Sequence, residues 1–178
     1  CSSDLVLRAA GLPVPRFRRL HLRRALAPQI AGLRYPCVVK PLAMAASRGV
    51  VRVDSRQELL GMLPRLEAIV AEALVPDERE QLLVESFIPG EEIAIEGLLS
   101  AGRLHVLAVF DKPEPLDGPF FEESYYVTPS RLPKALLDRA TRRLAEACAA
   151  YGLREGPVHA ELRLHDGEAW IEIGRAHV

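Results

Sequence analysis

The chain has 178 residues, 49% hydrophobic and 26% charged, with a net charge of −1. That suits one soluble globular unit, or two small lobes. It lacks the basic excess that attracts nucleic acid and any apolar run long enough to span a membrane. No N-terminal segment reads as a signal peptide, and Cys1, Cys37 and Cys148 are few, scattered and odd in number. They point to a reducing, cytoplasmic setting with neither a disulfide framework nor a zinc site.

The elements can be taken in chain order. Residues 4–11 read as the end of a helix, and 12–15 as a proline-rich turn. Residues 35–41 form a short apolar strand, and 49–53 a second one after a small-residue loop. Leu59, Leu60, Leu63, Leu66, Ile69 and Val70 lie on one stripe of a helix over 55–74, capped by Asp54 or Ser55 and interrupted by Pro64. A polar connector, 75–80, leads to a strand over 81–87 and a turn at Ile88-Pro89-Gly90. Residues 92–99 and 103–110 read as a hairpin. The proline-rich, acidic stretch 111–131 reads as a long loop, of the kind that often carries function. Its aromatics, Phe120, Phe121, Tyr125 and Tyr126, either wall a substrate site or pack on the sheet. Residues 133–151 form a helix, with Pro133 in its first turn and Gly152 at its end.

Residues 156–172 close the reading as a hairpin around Asp166-Gly167, a two-residue turn suited to positive φ at both positions. Pairing outward sets Leu164 against Ala169, Arg163 against Trp170, Leu162 against Ile171 and Glu161 against Glu172. One face is apolar: Val158, Ala160, Leu162, Leu164, Ala169 and Ile171. The other carries His159, Glu161, Arg163, Trp170 and Glu172. Like charges across a ladder destabilise it, and a divalent cation between them reverses that sign. The alternative is a solvated face on which Arg163 screens both carboxylates.

Three further features stand out. Lys40 ends the apolar strand Cys37-Val-Val-Lys40-Pro41, a costly place for a cation unless it meets an anion such as phosphate. The small-residue loop around Ser47-Arg48-Gly49 can cradle phosphate with backbone amides. The run Glu85-Ser86-Phe87-Ile88-Pro89-Gly90-Glu91-Glu92 leads a strand into a turn with carboxylates on either side. Each has a plain structural reading as well: a surface lysine, a turn, a strand end.

In this order the motifs Val38-Val-Lys40-Pro41, Ser47-Arg48-Gly49-Val50, Val84-Glu85 through Glu92, His159-Ala-Glu161 and Ile171-Glu172 resemble the ATP-grasp superfamily. The resemblance is to its carboxylate–amine ligases, including amino-acid ligases and the biotin carboxylase-like branch. It implies an α+β fold of two lobes with ATP between them, an N-terminal lobe over 20–87 and a C-terminal lobe over 88–172. Residues 1–19 would then be the end of a preceding region. By resemblance, Lys40 contacts the α- and β-phosphates, and Ser47, Arg48 and Gly49 form the loop over them. Glu85 and the backbone of Ser86, Phe87 and Ile88 form the adenine hinge, and Glu92 holds the ribose hydroxyls. Glu161 and Glu172 are the magnesium ligands, with manganese as a substitute. Lys112 falls near the phosphates, although an exposed loop lysine is the plainer reading. His159 either approaches substrate or phosphate or is a satisfied strand-end histidine.

The implied activity is a ligase that joins a small-molecule carboxylate to an amine through an acylphosphate at the expense of ATP. No nucleic-acid or membrane partner is implied, and a homo-oligomer is compatible with the intact protein. The alternatives are a non-catalytic nucleotide-binding module and a simple α+β interaction domain. The sequence also departs from the family pattern. Ala45 and Ala46 stand where the loop is usually richer in glycine. Gly174 and Ala176 stand where the pattern Glu-Ile-Asn-x-Arg has its asparagine and arginine. Residues 173–178 back-translate into a common sequencing-adapter sequence, so they are expected not to be natural protein and the chain to be a fragment.

Overall fold

The computed structural model describes residues 2–42, 44, 47–113 and 125–176. Along the chain run α1 (Ser2–Ala9), β1 (Phe17–His21), α2 (Leu26–Ile30), β2 (Cys37–Pro41), β3 (Val51–Val53) and α3 (Arg56–Val70). A 3-10 turn (Pro76–Glu80) leads into β4 (Gln81–Ser86), β5 (Glu91–Ser100) and β6 (Arg103–Lys112). Then follow α4 (Lys134–Ala150), β7 (Gly156–His165) and β8 (Glu168–Ala176). Helices with two antiparallel sheets place the protein in the α+β class. No helix among the described residues is long and apolar enough to cross a membrane.

The chain divides into two compact units. The first is Arg16–Phe87; the second begins at Ile88 and also takes in Ser2–Pro15. In the first unit the sheet order is β1-β4-β2-β3. Period-two alternation turns Leu20, Cys37, Val39, Val51, Val53, Leu82 and Val84 toward Leu59, Leu63, Leu66 and Val70 of α3. Ser55 caps α3, its side chain accepting from the Glu58 amide, while the Glu58 carboxylate accepts from the Asp54 amide at 2.8 Å. One orphan donor of the first turn and the amide just before the cap are thereby satisfied. Pro64 lies inside α3 on its exposed side, and the helix continues past it.

In the second unit the sheet order is β6-β5-β7-β8. Ile93, Ile95 and Leu99 of β5 join Val158, Ala160, Leu162 and Leu164 of β7 in one core. Ala140, Leu144, Ala147 and Cys148 of α4 cover it, with Leu7 of α1. Both hairpins close on two left-handed residues, Ala101 (φ 51°) with Gly102 (φ 81°) and Asp166 (φ 51°) with Gly167 (φ 72°). That backbone matches the twist of paired strands.

Three expectations need correction. β1 and α2 lie in a stretch to which the sequence pattern assigned no element. β6 runs two residues further than expected, so Asp111 and Lys112 belong to a strand rather than to the long loop. The closing hairpin keeps Leu164 against Ala169, Arg163 against Trp170 and Leu162 against Ile171, but a bulge then sets Ile173 opposite Glu161. Glu172 is the extra residue of that bulge and does not face Glu161 across the ladder.

Candidate functional site

In the first unit, β2 turns Val38 and Lys40 away from the core, β4 turns Leu83 and Glu85, and β3 turns Arg52. Val38 pairs with Glu85 in register, which leaves Lys40 two residues along on the diagonal. Its Nζ lies 2.7 Å from Glu85 Oε2, both side chains being largely buried. The anion that the strand-end lysine needs is therefore supplied, in this structure, by Glu85. Beside them Arg52 donates from Nε to Asp54 at 2.8 Å and lays its guanidinium 4.3 Å from the Phe87 ring centroid. On this face Lys40 meets Glu85, while Arg52 meets Asp54 and Phe87.

The hinge residues are firmly tied. The Ser86 amide donates to the Arg16 carbonyl at 2.8 Å, and the Ser86 hydroxyl accepts from the Arg16 amide at 3.0 Å. The Phe87 amide donates to the Pro36 carbonyl at 3.3 Å. Ser86 and Phe87 therefore spend their amides inside the protein. Ser47 and Gly49 sit in a turn with positive φ, closed by the Val50 amide on the Ser47 carbonyl at 3.0 Å. The turn packs toward α3: a Cβ on Gly49 would meet Pro41 at 3.0 Å and Ile69 at 3.2 Å. Arg48 forks both oxygens of Glu72 at 2.9 and 2.7 Å. The structure therefore places Arg48 and Gly49 against α3, apart from the face that carries Lys40. Ala45 and Ala46 of the same loop lie outside the described residues.

The second unit carries the denser cluster, on the face of its sheet opposite the core. β5 presents Glu92 and Glu96, β6 presents Lys112, and β7 presents His159, Glu161 and Arg163. Glu92 is flanked in register by Lys112 on one side and Arg163 on the other. Lys112 Nζ donates to Glu92 Oε1 at 2.5 Å and lies 3.2 Å from Glu161 Oε1. Arg163 donates from Nη2 to Glu92 Oε2 at 3.1 Å and from Nη1 to the Ile88 carbonyl at 3.1 Å. Lys112 and Arg163 side chains are 3% and 1% exposed. Neither the exposed-loop reading of Lys112 nor the solvated-screen reading of Arg163 holds. Two cations and two carboxylates at hydrogen-bond distance balance one another, which makes such deep burial tolerable.

His159 extends the cluster outward. Its Nδ1 is 2.7 Å from Glu96 Oε1 and its Nε2 is 3.6 Å from Glu161 Oε1. Glu96 fixes the ring and turns the second nitrogen toward Glu161, so the histidine is a partner of both acids. The side chain of Glu172 lies outside the described residues. Among the described residues no group of three or more His, Cys, Asp or Glu side chains is placed to hold a metal.

Beyond Lys112, the segment 125–131 is pinned to β6. Asp111 exchanges two backbone hydrogen bonds with Val127, and its carboxylate accepts from the Ser130 hydroxyl and the Arg131 amide. Tyr126 meets Phe110 edge-on, with centroids 6.1 Å apart, and Lys112 Nζ lies 5.3 Å from the Tyr126 ring. Phe120 and Phe121 lie outside the described residues.

Cys37, three residues before Lys40, faces the core, and burial together with the nearby Asp54 carboxylate pushes its thiol from 9.0 up to about 11. The folded value lies above the unfolded one, so folding favours the protonated thiol. This contribution is complete below pH 9.0 and is lost as pH rises through about 11. The shift corresponds to about 3 kcal/mol at most. Denaturant unfolding between pH 8 and 11 should therefore show a steeper alkaline loss for the native chain than for Cys37→Ala. Parallel curves would refute the assignment.

A family model described as an ATP-grasp domain matches residues 33–176. The chain belongs to the ATP-grasp family. It superposes on an L-amino acid ligase from Bacillus licheniformis with a TM-score of 0.85 and 34% identity, over 99% of this chain and 42% of that one. It is 31% identical over 127 residues to a D-alanine--D-alanine ligase from Synechococcus sp. (strain CC9605), covering 68% of this chain and 33% of that protein. A D-alanine--D-alanine ligase from Bacillus anthracis, complexed with ATP, shares the fold at a TM-score of 0.73 and 21% identity, over 98% of this chain and 53% of that one. This ATP-grasp chain therefore spans a third to about half the length of these relatives.

Proposed function

We propose that this ATP-grasp domain binds Mg-ATP and serves a ligase that joins a small-molecule carboxylate to an amine through an acylphosphate. The observation that carries the reading is the buried Glu92–Lys112–Glu161 array, on the strands where the ATP-grasp resemblance puts ribose and metal contacts. The donor set fits the group. Lys40 and Lys112 offer ammonium donors to phosphate oxygens, and Glu92 keeps acceptor capacity for hydroxyls. Glu161, at 16% side-chain exposure, offers hard oxygen to magnesium. Bound there, magnesium would neutralise charge on the phosphates. Lys40 would hold the phosphates once it is shared with Glu85, and the hinge at Glu85 to Ile88 would face the base. The related ligases named above act on amino acids, which makes an amino acid the first carboxylate to test.

A second reading, nucleotide binding without ligation, takes weight only where the gene itself encodes Gly174 and Ala176, at the places of the pattern's asparagine and arginine. One experiment separates the two. The chain, extended to the ends of its own gene, is assayed for phosphate release with ATP, magnesium and a panel of amino-acid pairs. Ligation with at least a ~100-fold loss in kcat/KM for Glu161→Gln is expected. ATP binding without phosphate release across the panel would give the second reading the lead. No binding at all would sink both.

A further inference from the structure

We infer that Arg163 is a positioning residue for the nucleotide's ribose, setting the carboxylate of Glu92 and the Ile88–Glu92 turn as one rigid piece. The inference rests on the nucleotide reading above and assigns a role to a side chain which that reading leaves idle. Arg163 is 1% exposed, on the sheet face that carries the polar cluster rather than in the apolar core. An arginine so deeply buried is costly unless its donors meet acceptors in good geometry. Two are met by a single fork: Nη1 on the Ile88 carbonyl and Nη2 on Glu92 Oε2, each at 3.1 Å. These acceptors lie at the two ends of the turn between hinge and strand. The next residue of β7 holds the middle of the same turn, since Gly90 packs so closely on the Leu164 carbonyl that a Cβ would overlap it. Consecutive residues of one strand therefore fix the entrance, apex and exit of the turn.

The effect on Glu92 is specific. Lys112 holds one carboxylate oxygen from β6 and Arg163 holds the other from β7. The plane of the carboxylate is locked, and each oxygen retains a second acceptor position. A carboxylate fixed in this way can accept one hydrogen bond per oxygen from adjacent hydroxyls without reorganising. The planar guanidinium suits this task because it bonds two separate acceptors in a fixed spread, whereas an ammonium is a point donor on a flexible stem.

The test compares ATP with 2′,3′-dideoxy-ATP by calorimetry on the chain in magnesium. The native chain is expected to prefer ATP by about tenfold or more, the strength of hydrogen bonds to a charged group. Arg163→Met should bring the two affinities within about threefold of each other, mostly by weakening ATP. Arg163→Lys keeps the charge that Glu92 requires, and hence the fold, while losing the two-acceptor fork; its preference should fall at least threefold. A general loss of stability would weaken both ligands alike and leave their ratio intact. A folded variant with the native ratio overturns the inference, as does a native chain that binds both ligands equally. A native chain that binds neither overturns the nucleotide reading itself, before any variant is made.

Discussion

Lys112→Met should destabilise the protein by about 3–5 kcal/mol, the cost of leaving buried charge without its partner. The ammonium lies 2.5 Å from Glu92 and 3.2 Å from Glu161, with its own side chain 3% exposed. A thioether of similar length fills the space and returns none of that compensation. The control is Lys134→Met. Lys134 pairs with Asp138 at 2.6 Å, a comparably short distance, but its side chain is 86% exposed. Solvent already stabilises both charges there, so a change under about 0.5 kcal/mol is expected. Adding Glu161→Gln to Lys112→Met should recover part of the loss, because Glu92 keeps Arg163 while Glu161 has lost its ammonium, and the amide strands no charge. Denaturant midpoints at constant slope measure all three. Equal costs for the two lysines would show that the buried array does not stabilise the sheet.

Gly90→Ala should cost at least about 3 kcal/mol, because two penalties fall on one atom. Gly90 has a φ of 108°, and an added Cβ would overlap the Leu164 carbonyl oxygen. The obstacle is backbone inside β7, so relief requires moving a strand. Gly152→Ala isolates the first penalty: its φ is 73° and nothing lies within 4 Å of the added atom. That change should cost about 1–2 kcal/mol, the left-handed penalty alone. A thermal midpoint for Gly90→Ala no lower than that of Gly152→Ala would mean that the turn is not clamped against β7.

What the sequence displayed, and what it concealed, follows from the range over which each feature is determined. The closing hairpin was legible because Asp166-Gly167 fixes its own φ values and the rungs count outward from them. The count failed at Glu161, since a bulge leaves the alternation of Ile171, Glu172 and Ile173 unbroken in the sequence while moving the pairing by one. Helix α3 was legible from its stripe and from Ser55. Strand β1 was not, because Phe17–His21 gives the core only Leu20, and the five residues of α2 are too few for a period to appear. Lys40, Glu92 and Glu161 could be singled out by motif, yet their partners could not. Glu85 reaches Lys40 from another strand, and Lys112 is buried because Glu92 and Glu161 approach it from β5 and β7. In the sequence, Asp111-Lys112-Pro113 looked like the start of a loop, and nothing nearby revealed the two acids. On the hairpin alone Arg163 is one candidate screen for the two carboxylates, whereas its guanidinium turns to β5 and to Ile88.

Strand β7 places Val158, Ala160, Leu162 and Leu164 in the core and His159, Glu161 and Arg163 on the opposite face. Natural variation can act on these two sets almost separately. A substitution at 159 alters the polar face while the apolar packing beneath stays the same, and one at 160 or 162 does the reverse. Arg163 breaks that independence, since it belongs to the polar face and is as buried as the core. Drift in the charge of this face should therefore run through position 159 and stall at 163, where any change must be matched at Glu92.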